Sequence, residues 1–88
     1  MKIGNQWLEV QMVLMRYGDR PTTFIVVLKT DAKSRYVVGE IEPGQTCKHD
    51  LDLKVLAEKG VDLNSQEYLI ATKDLDDWIV AKTVMDEL

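Results

Sequence analysis

The segment Cys47-Lys48-His49-Asp50 gathers the only cysteine, the only histidine and an acid of this 88-residue chain. Attack by a thiol needs a thiolate, a base to generate it and a third group to orient that base. All three kinds of group are present within four residues. Their spacing opposes a working arrangement: on an extended segment Cys47 and His49 share a face while Asp50 points away, and thiol catalysts assemble these groups from distant parts of a fold. No glycine-rich stretch offers backbone donors for an oxyanion. Cys47, His49 and Asp50, with Asp52 nearby, are also a candidate metal cluster. A structural zinc site takes four ligands, mostly Cys or His, and a catalytic one takes three plus an open position. Two soft ligands fall short, so the expectation is a polar connection with no catalytic residue and no metal.

Asp74, Asp76 and Asp77 resemble a cation loop only in composition, because the glycine and distal glutamate of an EF-hand are missing. Placed at a helix start, they are explained by capping and by the helix dipole. The five glycines stand singly, which gives no phosphate-cradling or dinucleotide pattern. No cofactor is expected, and the reading leans away from an enzyme.

The elements that must position these residues are organised around Thr22–Thr30, where six of nine residues are β-branched and Phe24 to Leu28 are all apolar. Such a run predicts a strand buried on both faces, in the middle of a sheet. Gln6–Tyr17 alternates with period two, and a helix there would be apolar all round, so it predicts a strand hairpinned to the first through Gly18-Asp19-Arg20-Pro21. After the polar turn Asp31–Ser34, Arg35–Glu42 predicts a third strand ended by Pro43-Gly44. Residues 6–42 thus read as a three-stranded antiparallel meander. With four-residue loops, one face carries Tyr17, Met15, Val13, Phe24, Val26, Leu28, Val37 and Ile41. The other carries Leu14, Met12, Val10, Leu8, Ile25, Val27 and Val38, with Arg16, Lys29 and Glu40 among them. Both faces are apolar, whereas an antiparallel sheet commonly wets one of them.

In the second half, Leu51–Lys59 predicts a helix capped by Asp50 and ended by Gly60, with Val61 folding back on the last turn. Leu56–Asn64 resembles the helix end and turn of an ankyrin repeat over those residues alone, which supports the helix end and not the family. Tyr68–Thr72 predicts a fourth strand, with a helix capped by Asn64 as the alternative. From Leu75 a helix is expected to the C-terminus, with Leu75, Trp78, Ile79, Ala81, Met85 and Leu88 on one face. The rival reading pairs Trp78–Val84 with Tyr68–Thr72 as a hairpin and closes a five-stranded, barrel-like fold with one helix. The fold class is α+β, in one domain spanning 1–88.

Composition is ordinary for a globular chain, at 45% hydrophobic and 30% charged residues. No apolar run approaches the ~20 residues of a membrane span, no leader-like apolar stretch opens the sequence, and one cysteine makes no internal disulfide. A cytoplasmic protein that does not span a membrane is expected. Charge is asymmetric: residues 1–44 carry six basic and five acidic side chains, residues 45–88 five and ten. That imbalance argues against a sequence-independent grip on nucleic acid, whose candidate residues would be Arg16, Arg20, Lys33 and Arg35.

The functional expectation follows from the two apolar sheet faces. One packs on the chain's own helices and the other on a second copy or a different protein, with Trp7, Val13, Met15, Tyr17 and Phe24 as contacts. The expectation is a non-enzymatic protein–protein interaction module that self-associates through an apolar sheet face. The alternatives are a small-ligand-binding barrel or small enzyme, and an acidic regulator docking on a basic protein surface.

Overall fold

The computed structural model describes residues 1–14, 23–42 and 44–87, with side chains at 1–11, 23–42 and 44–83. Strands β1 (Lys2–Ile3), β2 (Gln6–Leu14), β3 (Thr23–Lys29) and β4 (Arg35–Ile41) precede helices α1 (Cys47–Asp50), α2 (Leu53–Glu58) and α3 (Gln66–Glu87). The strands form one antiparallel sheet in the order β1-β2-β3-β4. The fold is α+β with an open sheet, so the closed-barrel alternative is corrected. The expected meander is present, extended at one edge by the two-residue β1. Its 18–21 turn lies outside the described residues.

Two bulges set which side chains face inward. The β2–β3 register shifts between Val10 and Met12, and the β3–β4 register shifts between Val26 and Val27, where Val38 is the extra residue. A bulge adds one residue to one strand and so reverses the facing of everything beyond it. Leu8 and Val10 therefore stand opposite Leu28 and Val26, and Val38 turns to the same side. The face assignment that put Leu8, Val10 and Val38 away from Phe24, and Val37 beside it, is corrected. Leu8, Phe24, Val26, Leu28, Val38 and Ile41 are all fully buried in one core.

The helical half closes that core. α1 is a single turn, the chain straightens at Leu51, and α2 starts afresh with Asp52 Oδ1 accepting from Val55 N–H at 3.2 Å. The expected continuous helix from Leu51 capped by Asp50 is thus two pieces, and Asp50 instead accepts from Thr46 N–H at 3.1 Å. The break has a partner on β4. An ideal Cβ on Gly39 would lie 2.5 Å from Leu51 Cδ2 and 3.4 Å from its Cα, and Asp52 N–H donates to the Val38 carbonyl at 2.6 Å. Glycine at 39 lets the 50–52 backbone lie directly on the sheet. α2 ends as expected: Gly60 adopts φ +85°, Val61 N–H reaches back to Leu56 O at 3.0 Å, and Val61 is buried.

Tyr68–Thr72 is the first part of α3, which corrects the expected fourth strand and excludes the 68–84 hairpin. Ser65 Oγ, not Asn64, accepts from Tyr68 N–H at 3.2 Å. Thr72 and Thr83 fold their hydroxyls onto the carbonyls four residues back, at 3.0 and 2.8 Å. These bonds satisfy the β-branched side chains within the helix. Tyr68, Ala71, Thr72, Leu75 and Ile79 form its buried stripe at helical spacing. Trp78 is half-exposed and sets its ring edge-on to Phe24 at 5.9 Å and 81°. Ala81, expected on the core face, is exposed, while Met85 and Leu88 lie outside the described side chains.

Candidate functional site

The Cys47 segment is divided by its helical turn. Cys47 points inward and is fully buried, with its N–H donating to Asp76 Oδ1 at 2.8 Å, while His49 and Asp50 are exposed. Burial, reinforced by the Asp76 carboxylate, pushes the Cys47 thiol well above its ordinary range. It is a protonated core group at neutral pH, the opposite of an activated nucleophile. Among the described residues, no three His, Cys, Asp or Glu side chains converge as a metal site. Asp76 serves Cys47 rather than a cation loop, and Asp77 pairs with Lys73 at 3.2 Å on the surface.

A cleft of about 480 Å³ lies where the β1–β2 turn meets the loop from α2 to α3. Its polar groups are largely spoken for. Gly4 N–H donates to Glu67 Oε2 at 2.5 Å, and Gln6 Nε2 donates to the Lys59 carbonyl at 2.7 Å. These bonds fasten the sheet edge to the helices and leave little to orient a ligand.

The sheet face turned away from the helices is the remaining surface. Its side chains form three rows across the strands. Lys2, Trp7, Lys29 and Arg35 make the first, Glu9, Val27 and Val37 the second, and Ile25 with Glu40 the third. Trp7 is 38% and Val37 62% exposed. Val27 is only 5% exposed yet stands outside the core cluster, so something on this face shelters it. On the same face Arg35 Nη1 donates to Gln11 Oε1 at 3.1 Å, linking β4 to β2, and Gln11 Nε2 donates to Glu9. Among the described residues neither Lys29, Arg35 nor Glu40 has an ion-pair partner.

Of the residues expected to make contacts, Trp7 is on this face. Phe24 is fully buried on the opposite side and cannot touch a partner. The side chain of Val13 and all of Met15 and Tyr17 lie outside what is described, as do Arg16 and Arg20. Lys33 and Arg35, the rest of the basic group, are exposed near the β3–β4 turn. Val37 stands exposed on this face beside Arg35 and Glu40, a placement plain alternation missed for Val37 because it cannot show that Val38 is a bulge. No family model, curated protein sequence or solved structure is significantly similar to this chain. No helix of the described residues is long and apolar enough to cross a membrane.

Proposed function

We propose that this protein is a non-enzymatic interaction module that associates with a second copy of itself through the outer face of its sheet. One observation carries the reading: Val37 and Trp7 stand exposed on a sheet face that no described helix covers. A face of this kind gains by meeting an apolar surface, and Trp is a favoured anchor in such contacts. The face also carries Glu9 and Glu40 together with Lys29 and Arg35, so it offers both signs of charge to an identical face. The buried, protonated Cys47 thiol supports a structural rather than a chemical role for the segment that most resembled a reactive site. Light scattering across a dilution series tests the reading. The expected result is a mass that moves from one chain to two as concentration rises, and a single-chain mass at every concentration would overturn it.

A further inference from the structure

One row of the outer face gathers cations around an aromatic ring. Across the four strands, Lys2 stands directly opposite Trp7, Trp7 opposite Lys29, and Lys29 opposite Arg35. Neighbouring strands lie ~4.8 Å apart, so three cations and an indole occupy a line of about 14 Å. Like charges directly opposite each other destabilise a sheet, and Lys29 with Arg35 is such a pair. Among the described residues no carboxylate relieves it. Lys2 and Lys29 have no ion pair there, and Arg35 Nη1 bonds the neutral amide of Gln11. The acids that border the row are hydrogen-bonded elsewhere: Glu9 accepts from Gln11 Nε2, and Asp31 Oδ1 accepts from Lys33 N–H and Ser34 N–H at 2.7 and 2.9 Å. Trp7, between Lys2 and Lys29, is 38% exposed.

From this juxtaposition we infer that the row binds a single-stranded nucleic acid, with a base stacked on Trp7 and phosphates met by Lys2, Lys29 and Arg35. An aromatic ring set among cations serves a strand that offers bases and phosphates together. An acidic peptide would match the charges and give the indole no such use. The excess acid of residues 45–88 is turned away from this contact, because that half forms the helices that pack on the other face. Arg35 can exchange the Gln11 amide for a phosphate, a charge-assisted and stronger partner. Trp7 would serve this contact and self-association alike, so the two exclude each other, and binding is measured on protein dilute enough to be a single chain.

The test is fluorescence anisotropy of a dye-labelled oligothymidylate of about ten nucleotides, titrated with the protein at low salt. Saturable binding is expected, with log K falling against log salt at a slope of about −2, from three phosphates at roughly 0.7 each. Trp7→Leu, which keeps an apolar side chain and removes the ring, should weaken binding about tenfold. Lys29→Ala and Arg35→Ala should each weaken it several-fold and make the slope shallower by ~0.7. None of the three side chains is buried, so the fold is expected to survive each change, as circular dichroism would verify. Lys54→Ala, which removes an exposed cation from α2, should change nothing. Absence of saturable binding at low salt would overturn the inference, and so would folded row variants that bind as wild type does. An equal loss in Lys54→Ala would reduce the contact to diffuse charge and overturn it too. Oligoglutamate binding more tightly than the oligothymidylate, unaffected by Trp7→Leu, would assign the row to an acidic peptide instead.

Discussion

Cys47 shows how burial decides what a residue can do. The thiol sits in the core beside the Asp76 carboxylate, and both desolvation and the nearby negative charge oppose its ionisation. The folded-state value lies above the unfolded one, so the unfolded chain releases its proton first as pH rises. Stability is therefore unaffected by this group below about pH 9 and falls above it, by at most ~1.4 kcal/mol per pH unit. Urea midpoints measured between about pH 8 and pH 10 should decline, and Cys47→Ala should flatten the first part of that decline. Tyr68, whose phenol is raised by its burial and by the nearby Cys47 and Asp76, adds its own fall at higher pH. A thiol-specific chromogenic reagent should leave the native protein unlabelled at pH 8 and react fully in urea. Prompt labelling of the native state would show that Cys47 is accessible after all. In the sequence this residue stood out through its neighbours, and nothing in a four-residue spacing reveals that a helical turn sends one of them inward.

At the scale of elements, Gly39 and the straightened chain at Leu51 are one device. A methyl group at 39 must displace the Leu51 side chain, and a branched one would also meet the Asp50–Leu51 backbone. Gly39→Ala is expected to cost about 1–2 kcal/mol and Gly39→Val about 3 kcal/mol, measured by urea unfolding, from overpacking at a close approach. Equal costs for both would mean that the backbone contact is slack. The meander was legible because period-two alternation and turn residues are local signals, and the end of α2 was legible because Gly60 has one obvious use. The bulges at Gln11 and Val38 left no such mark, so the assignment of side chains to faces failed beyond them. Tyr68–Thr72 misled for a different reason. Its β-branched and aromatic residues favour a strand locally, but Ser65 starts a helix, and the buried stripe from Tyr68 to Ile79 has helical spacing throughout. The outer face is less apolar than expected, because Leu8, Val10 and Val38 turn to the core side.

For the whole molecule, the uneven charge of the sequence becomes a spatial pattern in which the outer face carries both signs and the helical side carries most of the acid. Val37→Glu should leave the far-ultraviolet spectrum unchanged and weaken self-association by about tenfold or more, since it places a charge in the exposed apolar part of the outer face. A dimer indifferent to Val37→Glu would have to use another surface. The irregular outer strand carries one more implication. Among the described strands β4 is the long one at a margin of the sheet, and such a margin is a template on which further chains can add without limit. Here Val38 bulges out of the ladder, its carbonyl is taken by Asp52 N–H, and Arg35 and Glu40 flank it. Growth by strand addition is thereby obstructed while the broad face stays open, so concentrated solutions should hold discrete particles and resist fibre formation.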